Sequence, residues 1–139
     1  MHTLLYSLLL VPMLLATVAE TPLWEKLERL TWKNRVVVVY APVDGARPMQ
    51  QQLQTLSQQT AGVKDRDMVV VECVRPSMSP EDKNFLNRRF KHDLDKFGVW
   101  LIGKDGGVKL SSTQPVMAQK LFELIDTMPM RRSEMKRNK

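Results

Sequence analysis

The sequence predicts a single α/β domain with a mixed four-stranded sheet, helices on both faces of the sheet and a short helix in front. Three observations predict this fold class. The valine runs Val36–Val39 and Val69–Val71 each lie between helical patterns, which is typical of parallel strands covered on both faces. The pair Asp105-Gly106 separates two strand-like runs, which indicates an antiparallel hairpin near the end of the domain.

Each predicted element has its own local signals. The predicted helices are Leu23–Leu30, Gln50–Ala61, Pro80–Phe90 and Pro115–Met128, and the predicted strands are Arg35–Ala41, Asp67–Val74, Phe97–Ile102 and Val108–Leu110. We expect Gly62 to cap the second helix, Ser79 to begin the third and Pro129 to end the last. After the first helix the order is β-α-β-α-β-β-α, which predicts a thioredoxin-like fold.

The first 19 residues differ in composition from the rest of the chain. Residues from Leu4 to Val18 are nearly all apolar, and no charged side chain precedes Glu20. Small residues up to Ala19 predict a signal peptide over 1–19, with cleavage before Glu20 that the mass of the exported protein would test. The alternative is an uncleaved membrane anchor, although the apolar run of about fifteen residues is shorter than the roughly 20 that a spanning helix needs. The sequence therefore predicts a periplasmic or extracellular protein.

The basic charge is concentrated at the C-terminus. The chain has a net charge of +6, and residues 131–139 hold five basic side chains against one acidic side chain, Glu134. We therefore expect residues 20–130 to form a thioredoxin-like domain and residues 131–139 to form a solvated basic tail. The tail has no aromatic residue on which a base could stack, so nucleic-acid binding is not expected.

Three segments of the chain resemble a known family. They are Trp32–Arg35 with the valine run that follows, Leu101–Lys109, and Leu121–Arg131. Together they are similar to an uncharacterised "domain of unknown function" family of short exported bacterial proteins. A similar domain recurs in vertebrate extracellular proteins, including the sushi-repeat-containing proteins. The resemblance implies a peroxiredoxin-like thioredoxin fold and an exported protein, and it implies no established reaction.

This chain has no cysteine at the position where thioredoxin-fold enzymes carry their reactive cysteine. Such enzymes place the thiol just after the first core strand, where the N-terminus of a helix lowers its pKa. Here that position is Pro42–Pro48, and the third strand is preceded by Lys96-Phe97 rather than by proline. Both departures argue against disulfide exchange.

Cys73 is the only cysteine in the chain, so an internal disulfide cannot form. It lies near the end of the second strand, in register with Val69 and Val71. This position favours a small buried side chain. The alternative is a lone reactive thiol.

Four residues are expected to meet where the first two strands end and the third begins. They are Asp44, Arg47, Arg75 and Phe97. Ligands of open α/β sheets bind at this edge, and the start of a helix attracts anions. The alternative is that Asp44 caps the helix and that the arginines are solvated.

Other kinds of site have weaker support in the sequence. His92 lies beside Asp93 and Asp95, but a metal site would need further ligands, so a solvated charged loop is the better interpretation. The sequence predicts no metal site, no cofactor and no catalytic residue.

The leading functional hypothesis is an exported, non-catalytic binding or structural module whose partner is an unknown protein or envelope component. One alternative is a redox protein that uses Cys73 alone. A second alternative is peripheral attachment to an anionic membrane surface. The basic side chains that would make this contact are Arg131, Arg132, Lys136, Arg137 and Lys139.

Overall fold

The computed structural model describes residues 19–139, so the predicted signal peptide up to Val18 lies outside the described residues. Among the residues described, no helix is both long and apolar enough to cross a bilayer. In chain order the elements are α1 (Leu23–Leu30), β1 (Arg35–Ala41), α2 (Arg47–Ser57), α3 (Thr60–Asp65), β2 (Met68–Val74), α4 (Pro80–Phe90), β3 (Gly98–Ile102), β4 (Val108–Ser112), α5 (Ala118–Asp126) and α6 (Pro129–Arg137).

The sheet has the predicted mixture of strand directions. Its strand order is β2-β1-β3-β4. β1 is parallel to β2, with Arg35 opposite Met68, and antiparallel to β3, which is in turn antiparallel to β4. The N–H of Gly103 donates to the carbonyl of Gly107 at 2.8 Å and closes the predicted hairpin. The thioredoxin-like fold predicted from the element order is confirmed.

Alternate side chains of β1 enter two separate apolar cores. Val37 and Val39 face the core formed with α2 and α5, whereas Val36 and Val38 face the core formed with α1 and α4. These valines are at most 2% exposed. A strand that is covered on both faces reads as a continuous apolar run instead of an alternating one, which explains the valine run.

The predicted helix Gln50–Ala61 is two helices, α2 and α3, and Gly62 lies inside α3 instead of capping α2. A Cβ atom at Gly62 would be 2.6 Å from Cε2 of Phe122 in α5. Glycine is therefore required here by close packing of an aromatic ring and not by the geometry of a helix end.

The last core helix also begins later than predicted, at Ala118 rather than Pro115. The buried amide of Gln52 holds the backbone of Val116 in the intervening segment. It donates to the Val116 carbonyl at 2.9 Å and accepts from the Val116 N–H at 2.7 Å. Because both backbone groups of Val116 bind Gln52, neither is available to a helix at this position.

The prediction that residues 131–139 form a solvated tail is wrong. Pro129 follows α5, as predicted, but it also occupies the first turn of a further helix, α6, where its missing N–H costs nothing. Arg131, on the first turn of α6, is 3% exposed. The domain therefore extends beyond residue 130 and includes α6.

Ion pairs attach α6 to the domain. We call the connected set of charged side chains around α6 the ionic cluster. Its members are Arg35, Asp65, Arg66, Asp67, Lys104, Asp126, Arg131 and Glu134. These four bases and four acids come from β1, α3, the α3–β2 turn, the β3–β4 turn, α5 and α6, so the cluster joins segments that are distant in sequence.

Arg35 and Glu134 form the most buried pair of the ionic cluster. The two guanidinium NH groups of Arg35 bind the two carboxylate oxygens of Glu134 at 3.1 and 3.2 Å. Lys104 binds the same carboxylate at 2.7 Å. The side chain of Arg35 is 1% exposed and that of Glu134 is 12% exposed. A buried cation without its carboxylate is strongly destabilising, so Glu134 ties the end of the chain to the central strand.

Two carboxyl groups of the ionic cluster, those of Glu134 and Asp126, are held in their charged form. Burial opposes ionisation of Glu134, but hydrogen bonds from Arg35 and Lys104 outweigh burial and lower its pKa. Burial likewise opposes ionisation of Asp126, and hydrogen bonds from Arg66 and Arg131 lower its pKa. Both groups therefore stabilise the fold only while they are ionised.

We expect Glu134→Gln to lower the free energy of unfolding by about 3 kcal/mol, because Arg35 and Lys104 would lose their shared carboxylate while they stay buried. Arg132→Ala on the exposed face of the same helix should change it by less than about 0.5 kcal/mol. Urea unfolding measures both variants. Equal stability of Glu134→Gln and the wild type would show that α6 is not held by this pair.

Protonation of Glu134 and Asp126 makes the free energy of unfolding depend on pH. The pKa values of Glu134 and Asp126 are lowered from 4.5 and 3.8 on folding. Their contribution is therefore complete above those ordinary values and is lost as the pH falls through the lowered ones. The wild type should lose more stability on acidification than Glu134→Gln.

Candidate functional site

The sheet register brings together the strand ends at which the sequence predicts a ligand edge. Ala41, the last residue of β1, is opposite Val74, the last residue of β2. The next residue inward in β1, Tyr40, is opposite Gly98, the first residue of β3. The segments after β1 and β2 and before β3 therefore lie at one edge of the sheet.

The four candidate residues at this edge do not form one site. Asp44 and Arg47 are exposed, and neither forms an ion pair with another described residue. The N-cap of α2 is Ala46 without a side-chain hydrogen bond, so Asp44 does not cap this helix. Arg75 binds Asp95 at 2.6 Å, in a surface pair of the kind that contributes little stability.

Phe97, the fourth candidate, belongs to the core instead of the edge. It is 7% exposed and packs in the apolar cluster that contains Val39 and Ala41. Its position directly before β3 makes its side chain alternate onto a buried face. The strand-end edge thus offers exposed charges without an aromatic contact surface.

His92 is buried, so the interpretation of residues 91–96 as a solvated loop is wrong at this residue. Its side chain is 8% exposed, and its ring meets Tyr40 and Trp100 edge to face. Its Nε2 lies 2.8 Å from the carbonyl oxygen of Lys96. The Tyr40 hydroxyl donates to the carbonyl of Leu94 at 2.6 Å. His92 therefore orders the segment that leads into β3 and is engaged in packing.

Cys73 lies in the core that faces α1 and α4 and is 5% exposed. Burial, with a smaller contribution from the negative charge of Asp82, raises the pKa of its thiol to about 12. The thiolate is the nucleophilic form of cysteine, so Cys73 has almost none of it at neutral pH. The position of the thiol supports the prediction of a small buried side chain.

A concave surface lies between α1, α4 and the β3–β4 turn. We call it the α1–α4 groove, and its volume is about 210 Å³. Its floor is the sheet residues Val36 and Ile102, its walls include Leu27 and Phe85, and Trp24 stands at its rim. Trp24 is 42% exposed. The lining also includes the polar side chains of Glu28, Thr31, Asn34 and Arg89, and concave surfaces that combine aromatic and polar groups are typical of binding sites.

Trp32 is a second exposed tryptophan near this groove. Its side chain is 67% exposed, and its backbone has a φ of 68°, which a bulky side chain rarely adopts. Its N–H donates to the carbonyl of Lys104 at 2.6 Å, which holds the backbone in place. The fold therefore presents a large aromatic ring to solvent on a fixed backbone, a feature that composition alone did not reveal.

The chain belongs to the family described as "Domain of unknown function (DUF4174)", which matches residues 26–134. This finding confirms the coarser prediction that the chain belongs to a family of unknown function. The predicted likeness to exported bacterial proteins and to sushi-repeat-containing proteins stays a prediction.

Known proteins that are similar to this chain include a coiled-coil domain-containing protein and a peroxiredoxin. The chain is 28% identical over 133 residues to coiled-coil domain-containing protein 80 of Danio rerio, an alignment that covers 78% of this chain and 15% of the relative. The crystal structure of Plasmodium vivax 2-Cys peroxiredoxin in its reduced form matches with a TM-score of 0.58 at 12% identity. That match covers 76% of this chain and 83% of the peroxiredoxin, and it shows the fold alone.

We expect Cys73 to react with a thiol reagent such as dithionitrobenzoate only when the protein is unfolded, because its thiol is buried and protonated. Ser111→Cys in the exposed face of β4 provides an accessible thiol as the matched control. Cys73→Ala should cost about 1 kcal/mol or somewhat more for the lost apolar contact. Rapid labelling of Cys73 in the folded protein would contradict the buried position.

Proposed function

We propose that this protein is an exported, non-catalytic binding module of thioredoxin-like fold. The observation that carries the proposal is the lack of a thiol at Pro42–Pro48, which comprises the turn between β1 and α2 and the first two residues of α2. Redox enzymes with this fold need a cysteine at the start of that helix, since the helix end stabilises the thiolate. Here the corresponding turn carries the exposed residues Val43 and Asp44.

The exposed aromatic surface supports a binding role. Trp32 is a large side chain that is 67% exposed and occupies an unfavourable backbone region, and Trp24 is 42% exposed. Tryptophan is enriched among residues that dominate the energy of protein interfaces. A partner that covers these rings would bury apolar area that folding leaves in water.

The first alternative function, a redox protein that uses Cys73, has less support. The thiol is buried, and its raised pKa disfavours the thiolate. Cys73 lines the groove between α1 and the end of β2, but only 5% of the residue is exposed there, and Leu23 and Leu86 pack in the same core.

Assays of peroxide and disulfide reduction distinguish the non-catalytic binding module from the redox alternative. We expect the purified protein to reduce neither hydrogen peroxide nor the disulfides of insulin in the presence of a thiol reductant. A peroxiredoxin and a thioredoxin serve as positive controls. Activity that disappears in Cys73→Ala would reject the non-catalytic proposal and establish the redox alternative, whereas activity that persists in this variant would indicate a contaminant.

The second alternative is attachment to an anionic membrane surface. Because residues of the predicted tail fold into α6, fewer basic side chains are available for this contact. Arg131 is committed to Asp65 and Asp126, so it is not available to a membrane. The basic residues of α6 and the C-terminus that remain exposed are Arg132, Lys136, Arg137 and Lys139. A folded helix holds Arg132 and Lys136 on one face, four residues apart, which favours contact with a charged surface.

We expect the double variant Arg132→Glu and Lys136→Glu to weaken binding to vesicles that contain phosphatidylserine at low salt, by about fivefold for each basic residue removed from the surface. High salt should abolish the difference. The double variant Arg88→Glu and Lys120→Glu, at exposed positions of α4 and α5, makes the same change in net charge and is the matched control. Equal binding of the double variant and the wild type in a sedimentation assay would reject attachment through α6.

A further inference from the structure

The strand β2 forms one edge of the sheet and has no partner on its outer side among the described residues. It is seven residues long, it pairs with β1 without a register shift, and it contains no proline. Val69, Val70 and Val71 are only half-buried, whereas the valines of β1 are fully covered. Exposed strand edges are normally protected by short length, bulges, proline or several charges, and β2 has only Glu72.

The opposite edge of the sheet shows the usual protection. β4 is five residues long, its pairing with β3 contains a register shift between Leu101 and Ile102, and its sequence includes Lys109. The two edges therefore differ, and the unprotected edge is β2.

Each face of the sheet leaves a groove beside β2. On the face of α2 and α3, a groove of about 290 Å³ is lined mainly by the apolar residues Leu53, Leu56, Val63 and Val70. On the face of α1 and α4, a more polar groove of about 310 Å³ is lined by Leu23, Val71, Cys73 and Met78 and by charged side chains that include Lys26, Glu72 and Asp82. Side chains of an extended strand alternate between faces, so a strand beside β2 would place them in both grooves.

We propose that β2 binds an extended peptide segment of a partner protein, which adds a fifth strand to the sheet. The segment would carry apolar side chains at alternating positions and a lysine or arginine opposite Glu72. The main chain of β2 would supply the hydrogen bonds, and the two grooves would select the side chains of the peptide. The inference rests on the proposed binding function and assigns it a site and a class of partner.

The charge of Glu72 distinguishes this occupant from a second copy of the chain. Glu72 is exposed and forms no ion pair with another described residue. A twofold axis through Val70 would place Glu72 opposite Met68, and one through Val71 would place it opposite Val70. Neither arrangement neutralises the carboxylate, and an axis through Glu72 would bring two carboxylates together. A basic residue in a different chain fits better.

The test compares two synthetic peptides of about nine residues, which is long enough to span β2. Both alternate valine with threonine, and the central valine is replaced by lysine in one and by glutamate in the other. Fluorescence anisotropy measures their affinity for the full chain. We expect the lysine peptide to bind about fivefold more tightly than the glutamate peptide.

Glu72→Lys should reverse this preference, whereas Lys109→Glu on the β4 edge, the matched control, should leave it unchanged. Hydrogen exchange of the full chain should slow at the backbone amides of residues 69–72 when the lysine peptide is present, and not at those of β4. The comparison of the two peptides on the wild type needs no variant to fold.

Four results would overturn the proposal. They are equal affinity for both peptides, absence of binding to both, protection at β4, and protection of β2 without peptide. The last result would identify another occupant. Protection that grows with protein concentration would indicate a second copy, and protection that is lost when the chain begins at Glu20 would indicate residues 1–19. These results would reject the strand-edge site alone, whereas redox activity that depends on Cys73 would reject the proposed function.

Discussion

The guanidinium of Arg35 imposes the strongest single constraint on this fold. It lies at the start of the central strand β1, is 1% exposed, and carries a positive charge. A charge in that position needs a carboxylate, and the carboxylate of Glu134 lies 99 residues away along the chain. The C-terminal segment must therefore return to the beginning of β1, although its own sequence is too polar to pack there by apolar contact.

The ionic cluster extends this constraint to the connections around the sheet. Arg66 donates to both oxygens of Asp126, at 3.0 and 2.8 Å, and so joins the end of α3 to the end of α5. Lys104 joins the β3–β4 turn to Asp67 and Glu134. A chain with a single cysteine has no internal disulfide to hold these segments. Ion pairs hold these segments together instead of a disulfide. Because the carboxylates of Glu134 and Asp126 must be ionised for this, the stability of the fold depends on pH.

The sheet could be predicted from the sequence because each strand and turn is marked by the residue types of a short segment. Two valine runs, an Asp-Gly turn and the helical patterns between them predict the order of the elements along the chain without knowledge of any contact. The helix α6 could not be predicted in this way, since it has no apolar periodicity and depends on Arg131 and Glu134 meeting partners that are distant in sequence. The same reason explains His92, whose burial follows from the rings of Tyr40 and Trp100 rather than from its charged neighbours.

For the candidate sites too, features that depend on neighbouring residues could be predicted from the sequence, and features that depend on distant contacts could not. The absence of a thiol between β1 and α2 is a local fact, and the sequence alone was sufficient to predict it. The four residues proposed for the strand-end edge were predicted to converge from topology, and their backbone segments do converge. Their side chains do not, because Phe97 is drawn into the core and Arg75 pairs with Asp95. Strand topology places a backbone at an edge, but packing decides which side chains remain there.

The residues that hold the fold together are separate from those that remain open to a partner. The ionic cluster lies where β1 and β2 begin, and in the β2 region it involves only Asp65, Arg66 and Asp67, which precede the strand. The half-buried valines of β2 contribute to neither the cluster nor any described backbone pairing on their outer side. An added strand could therefore cover them without displacing an ion pair. This separation gives a small domain the freedom to keep an edge strand available, because its stability does not depend on closing that edge.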